Sequence, residues 1–255
     1  MTITFLGTGT SQGIPVIGSQ HPVCLSSDKR DKRLRSSIMI TSGATVLVVD
    51  CGPDFRAQML RENPSHIDAI LFTHEHSDHT AGLDDIRPFY FRQDGDFQLY
   101  GHQRVFESLQ QRFAYIFETE NKYPGAPTVA LNEIKNNVPF QINNVHITPI
   151  NVYHNKLQVF GFRIQNFVYL TDVKTISDTE IEKLKGVDVL VVNALREREH
   201  HSHFTLSEAL GFIEKVQPEK AYLTHISHEL GFYEEVQKTL PKNVFLAYDS
   251  LTLEL

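Results

Sequence analysis

The segment His74-Glu75-His76-Ser77-Asp78-His79 gathers three imidazoles and two carboxylates within six residues. Neutral imidazole mixed with carboxylate is the donor set of zinc, manganese and iron hydrolytic sites. The run directly follows the apolar stretch Asp68-Ala-Ile-Leu-Phe-Thr73, which reads as a β-strand. Side chains alternate along a strand, so a strand carried through His76 turns His74 and His76 toward one ion and Glu75 away from it. A turn at its end redirects Asp78 and His79 toward a second position. Two adjacent cations polarise a substrate and lower the pKa of a water, so the pattern points to hydrolysis. Histidine tracts also occur as solvated, low-complexity loops, but this one sits at a strand end and mixes donor types.

Further donors recur at the ends of later apolar runs. His154 lies beyond the run that begins at Val145, Asp172 follows Val168-Tyr-Leu-Thr171, and His225 follows Ala221-Tyr-Leu-Thr224. The C-terminal ends of strands are where α/β sheets build sites. A threonine precedes each of His74, Asp172 and His225, a recurrence for which the sequence alone supplies no physical reason.

The elements that must carry these donors are strands at Ile3 to Leu6, Ser37 to Ile40, Val46 to Val49, Ala69 to Phe72, Val145 to Ile150, Gln158 to Ile164 and Phe167 to Leu170. Others fall at Val187 to Val192, Lys220 to Leu223 and Val244 to Leu246, and the unbroken apolar runs suit a sheet buried on both faces. Helical periodicity marks Asp54 to Asn63, Arg104 to Phe117, Asp178 to Lys185, Thr205 to Val216 and Tyr233 to Leu240, with Thr205 or Ser207 as N-cap. Nothing divides the chain, which reads as a single α/β domain over residues 1–255. The stretch from Glu118 to Pro139 reads as an excursion that borders a pocket and shapes specificity.

The glycines of Leu6-Gly-Thr-Gly-Thr-Ser-Gln-Gly13 match neither phosphate-loop spacing and precede Ile14-Pro-Val-Ile-Gly18 rather than a helix, so they read as tight turns at a sheet edge. The basic stretch Lys29-Arg-Asp-Lys-Arg-Leu-Arg35 reads first as a solvated loop and second as a contact for a small phosphate. A net charge of −7 argues against a long nucleic-acid footprint. No run has the length of a membrane span and the start lacks a signal peptide's basic end, so a cytoplasmic protein is expected. Its two cysteines, Cys24 and Cys51, are then free thiols or ligands.

With His74, His76, Asp78, His79, His154, Asp172 and His225 in this order, the chain resembles the metallo-β-lactamase superfamily of hydrolases along essentially its whole length. The resemblance implies a four-layer αββα metallo-β-lactamase sandwich and two divalent metal ions, zinc or manganese. It implies that His74, His76 and His154 hold one ion, that Asp78, His79 and His225 hold the other, and that Asp172 bridges them. Asp50 then stands behind the ligands, orienting a histidine, or is simply the aspartate that starts a helix. Within the superfamily, Leu6 to Gly13, Arg33-Leu-Arg-Ser-Ser37 and Leu223-Thr-His-Ile-Ser-His228 are most similar to the phosphodiesterases of phosphonate breakdown, which open a phosphoribosyl 1,2-cyclic phosphate. Those enzymes carry a structural zinc on three cysteines and a histidine. Here Ser19, His21 and Cys24 stand at the cysteine positions and His228 at the fourth. Serine is a poor zinc ligand, so that site is weakened, completed by water, or lost.

The expected activity is hydrolysis of a small, cyclic phosphodiester by metal-activated water, with Asp78 and His203 as catalytic residues. His203, in Glu199-His-His-Ser-His-Phe-Thr205, resembles the general acid that protonates the leaving group. His200 and His201 read as exposed neighbours. The alternatives are a thioester, lactone or β-lactam hydrolase, an RNA-processing nuclease of the same superfamily, and a metal-stabilised binding or sensor protein without turnover. Nucleic acid and membrane are not expected as partners, and the resemblance suggests a homodimer.

Overall fold

Strands such as Thr45-Val-Leu-Val-Val49, buried at every position, need apolar cover on both faces. A computed structural model describes residues 1–255 and supplies that cover with fifteen strands in two facing sheets and a layer of helices outside each. The first sheet contains β1 (Thr2–Gly7), β2 (Ser37–Ser42), β3 (Thr45–Val49), β4 (Ala69–Leu71), β5 (Phe97–Gly101) and β6 (Val129–Glu133). The second contains β7 (Phe140–Ile142), β8 (Val145–His154), β9 (Leu157–Ile164), β10 (Phe167–Tyr169), β11 (Thr175–Ile176), β12 (Val189–Asn193), β13 (Lys220–Thr224) and β14 (Val244–Leu246). The last strand, β15 (Thr252–Glu254), returns to pair with β1, giving the order β15-β1-β2-β3-β4-β5-β6. The second sheet runs β11-β8-β9-β10-β12-β13-β14, with β7 on the far side of β8. Each sheet has a parallel stretch, β3-β4-β5 and β10-β12-β13, that carries most of the site, whereas β8, which ends in His154, is antiparallel to β9.

Period-two alternation distributes the core. Leu47, Val49, Ala69 and Leu71 pack inward with Phe160, Phe162, Tyr169 and Val191 of the facing sheet. Val48 and Ile70 point outward onto Phe55 and Met59 of the helix Phe55–Glu62 and Phe106 and Leu109 of the helix Gln103–Arg112. On the other side, Val168, Leu190, Val192 and Leu223 meet Ala209, Phe212 and Ile213 of the helix Leu206–Val216. The αββα sandwich follows from this two-sided burial. Thr205 caps that last helix in a reciprocal box with Glu208.

Several elements depart from the sequence reading. The periodic segment expected from Arg104 to Phe117 breaks at Phe113, whose non-helical backbone separates Gln103–Arg112 from Ala114–Phe117. The stretch from Glu118 to Pro139 contains β6, an edge strand paired parallel to β5. No helix is long and apolar enough to cross a membrane.

The glycine-rich loop does turn tightly, at Ser11–Gln12 and Ile17–Gly18, but its first two glycines meet a different need. A Cβ at Gly7 would lie 2.0 Å from the Arg35 carbonyl, and one at Gly9 2.9 Å from that of Arg33, so the loop crosses the Arg33–Ser36 backbone where no side chain fits. The basic stretch is not a solvated loop either. Arg33 is buried and donates to the Thr8 hydroxyl at 2.8 Å and to the Ala247 carbonyl. Asp249 accepts from Thr8 Oγ1 and Leu34 N, each at 2.8 Å, and Arg35 pairs with Asp54 at 3.0 Å. The crossing is therefore locked by polar groups drawn from both ends of the chain. Asp249→Ala leaves the Thr8 hydroxyl and the Leu34 N–H without their acceptor, and is expected to lower stability by about 1–3 kcal/mol. The shift in the urea midpoint at unchanged slope measures it.

Candidate metal centre

Five strand ends from the two sheets meet at one edge. Asp50 follows β3, His74 follows β4, His154 ends β8, Asp172 follows β10 and His225 follows β13. Asp50, Asp172 and His225 have φ of 64°, 58° and 54°, a left-handed conformation that non-glycine residues seldom adopt and that marks functional strain. At Asp50 and His225 it falls on the residue directly after the strand. β4 ends at Leu71, so His74 and His76 lie in the loop beyond it rather than on the strand expected to alternate them. They converge all the same, with ring centroids 4.4 Å apart. The helical turn Ser77–Thr80 then carries Asp78 and His79.

The donors form two sets sharing one carboxylate. Asp78, His79, Asp172 and His225 each offer an atom within 4.8 Å of all the others, and so do His154, Asp172 and His203. Asp172 Oδ1 is 3.3 Å from His79 Nε2, while Oδ2 is 3.4 Å from His225 Nε2, 3.8 Å from His203 Nδ1 and 3.9 Å from His74 Nε2. The His76 and His154 rings are 5.2 Å apart and those of His74 and His154 5.9 Å, which brings the third expected group to the same side. His74 Nε2, His79 Nε2 and His203 Nδ1 are buried without any hydrogen-bond partner. Buried orphan nitrogens facing carboxylates fit a divalent cation, which satisfies both.

Three of the histidines are held by the other nitrogen. His79 Nδ1 donates to Asp50 Oδ2 at 2.7 Å, and Asp50 also accepts from Thr73 N and Oγ1 at 2.8 Å. His74 Nδ1 lies 3.0 Å from Thr73 Oγ1, and His154 Nδ1 donates to the Ser202 carbonyl at 2.8 Å. Such contacts fix the tautomer and leave Nε2 bare for an ion. They also explain two of the three recurring threonines. Thr73 links Asp50 to His74, and Thr171 Oγ1 donates to Asp172 Oδ1 at 2.6 Å. The Thr224 hydroxyl has no partner.

Burial pushes the imidazoles of His74, His76, His225 and His203 down, toward the neutral form that ligates, and His203 reaches about 2. Burial works the same way on His79, but Asp78, Asp172 and Asp50 outweigh it and hold that imidazole above its ordinary range. Burial raises Asp50, whereas at Asp78 and Asp172 the facing imidazoles overcome burial and keep the carboxyls low.

Other residues stand apart from this set. Glu75 points away and pairs with Arg104 at 2.9 Å. The His200 ring lies 5.0 Å from that of His203, with His201 exposed beyond it. At the expected extra zinc position, the His21 and His228 rings are 4.9 Å apart and Cys24 is buried. However, Ser19 Oγ accepts from His21 N, His21 Nδ1 from Val23 N, and Cys24 Sγ from Val16 N. These residues cap the turn Pro22–Leu25, and they form no set of three donors within 4.8 Å. Cys51 is a free thiol in the core beneath the first sheet.

Four contributors escaped the sequence reading. Ser36 Oγ and Thr10 Oγ1 stand 3.4 Å from the two nitrogens of His225, brought there by the crossing of the glycine-rich loop. A Cβ at Gly52 would lie 2.0 Å from the Asp78 carbonyl, and one at Gly82 2.2 Å from the Gly52 carbonyl. The loop bearing Asp50 thus rests directly on the turn bearing Asp78. Steric need of that kind leaves no mark in sequence beyond the glycine itself.

Fold and site together define a class, the metal-dependent hydrolases built on the β-lactamase sandwich. The family profile described as the Beta-lactamase superfamily domain matches residues 45–226. A solved structure described as a new diphosphatase from the PhnP family superposes with a TM-score of 0.93 at 37% identity, covering 100% of this chain and 97% of that one. The chain belongs to the metallo-β-lactamase superfamily and, within it, to the PhnP family. An octanoyltransferase of Porphyromonas gingivalis is 38% identical over 253 residues, which are 98% of this chain and 51% of that protein. A ribonuclease Z of Bacillus subtilis is 27% identical over 169 residues, 65% of this chain and 49% of that protein. The chain spans about half the length of these curated relatives.

Two substitutions test how the site is built. Asp50→Asn keeps the shape but weakens the anchor on His79, and is expected to lower affinity for divalent metal roughly 10- to 100-fold in a chelator competition. Gly52→Ala forces the Asp78 turn away, and is expected to cost about 1–3 kcal/mol of stability together with metal binding, read by thermal melts with and without added zinc.

Proposed function

We propose that residues 1–255 act as one hydrolase unit that cleaves a small phosphodiester or a related phosphoric ester or anhydride. The observation that carries this reading is the Asp172 carboxylate, buried and shared between two donor sets. In this reading His74, His76 and His154 hold one divalent cation, Asp78, His79 and His225 hold a second, and Asp172 serves both. Zinc or manganese suits these donors. When bound, the cations lower the pKa of a water and draw negative charge off a phosphoryl oxygen.

The chain's own residues supply the rest. Asp50, Thr73 and the Ser202 carbonyl hold His79, His74 and His154 in the ligating tautomer. His203, in the same corner as Asp172, is the proton donor to the departing oxygen. Burial alone disfavours its protonated form, and an anionic phosphoryl group beside it restores that form. The diphosphatase likeness favours a phosphorus centre. The octanoyltransferase name belongs to a relative about twice as long as this chain, the ribonuclease likeness covers 65% of the chain at 27% identity, and a net charge of −7 argues against a long RNA footprint.

A single panel tests both reaction class and proton donor. The metal-loaded protein is assayed on bis(p-nitrophenyl) phosphate, a cyclic phosphodiester, a phosphoric anhydride, an octanoyl thioester and a single-stranded RNA. Turnover confined to the phosphorus substrates of low molecular weight is expected, and hydrolysis of only the thioester or only the RNA overturns the reading. His203→Ala is expected to lose about 10²- to 10⁴-fold on an alkyl ester. It should lose much less on p-nitrophenyl esters, whose leaving group needs no proton.

A further inference from the structure

His203 is placed too deeply to be a proton donor alone. Its Nδ1 is buried without a partner and stands 3.8 Å from Asp172 Oδ2. Its ring lies 4.4 Å from that of His154 and 4.8 Å from that of His225, so it closes the corner between the two donor sets. His154, Asp172 and His203 bring their donor atoms within 4.8 Å of one another. The 3.8 Å between His203 Nδ1 and Asp172 Oδ2 is short enough for one cation to touch both atoms, with His203 as a fifth donor beside His74, His76, His154 and Asp172.

The backbone fixes this placement from both sides. The carbonyl of Ser202 accepts from His154 Nδ1 at 2.8 Å, and the N–H of Phe204 donates to the Val173 carbonyl at 2.8 Å. The residue before His203 is thereby tied to one member of the set, and the residue after it to the neighbour of another. A freely swinging acid at the mouth of a site needs no such clamp.

We infer that in the substrate-free protein His203 Nδ1 is itself a metal ligand, completing the coordination of the cation held by His154 and Asp172, and that the phosphoryl group displaces it. The inference rests on the two-cation reading above and adds a second state of the same side chain. As a ligand, the imidazole offers its Nδ1 lone pair to the ion and holds no proton on that atom. Displaced by the phosphoryl group, the same imidazole is free to serve as the proton donor of the proposed function.

Metal affinity and spectroscopy separate this state from a purely acidic role. Apo protein is titrated with zinc against a chelator, and with cobalt(II) followed by its visible absorption, for the wild type, His203→Ala, His203→Gln and His201→Ala. The expected result is a dissociation constant for one of the two ions raised at least about tenfold in both His203 variants. Their cobalt spectra should be altered, while His201→Ala, an exposed neighbour in the same loop, matches the wild type. Inorganic phosphate should shift the wild-type cobalt spectrum toward that of His203→Ala. Unchanged constants and an unchanged spectrum in both His203 variants overturn the inference, and thermal melts confirm that the variants are folded. If affinity is unchanged while turnover on alkyl esters falls, this inference fails and the proposed function stands. If affinity falls but the wild type hydrolyses none of the phosphorus substrates, the ligand role stands and the proposed function fails.

Discussion

Burial of the Asp172 carboxylate among four imidazoles is the interaction on which the rest of the structure depends. It lies between 3.3 and 3.9 Å from His79, His225, His203 and His74, and these side chains arrive from segments spread from residue 74 to residue 225. A charge taken out of water among apolar strands is costly unless it is paired and hydrogen-bonded. The pairing brings the ends of both sheets to one corner. The left-handed residues Asp50, Asp172 and His225 are the backbone form of the same constraint, because an ordinary strand exit would carry these side chains past the corner.

The electrostatics of the corner are divided rather than uniform. His74, His76 and His225 are kept neutral by burial, while three carboxylates hold His79 in its charged form. A cation held beside His79 would have to displace that proton, which would link binding to proton release. Asp50, anchored by two bonds from Thr73, fixes the Nδ1 side of the ring and leaves Nε2 facing Asp78 and Asp172.

Much of this was legible because the donors are polar residues at the ends of apolar runs, and apolar runs identify strands whatever their partners. His74 to His79, His154, Asp172 and His225 were visible in that way, as were the layers, since runs such as Val46 to Val49 have no polar face. Illegible features were those set by contact rather than composition. The alternation invoked for His74 and His76 fails because β4 stops at Leu71, and their convergence comes from the loop instead. Arg33 and Arg35 looked like solvated charge because nothing in their neighbours announces Thr8, Asp54 or Asp249. Whether Asp50 starts a helix or supports a ligand was undecidable from its position. The 2.7 Å contact with His79 favours the second of these.

The residues around His225 show how the chain's two ends enter the chemistry. Thr10 and Ser36 flank its two nitrogens, yet both lie outside the span 45–226 that the superfamily profile matches. They reach it because Gly7 and Gly9 let the first loop cross beneath Arg33–Ser36, and because Asp249 and Arg33 lock that crossing. The superfamily span thus holds all seven expected ligands, and the flanking segments set the environment of the last of them. A ligand whose orienting contacts come from outside that span can be retuned without disturbing the other six. The anchors of His79, His74 and His154, namely Asp50, Thr73 and the Ser202 carbonyl, lie inside that span, so the environment of His225 alone depends on the chain's two ends.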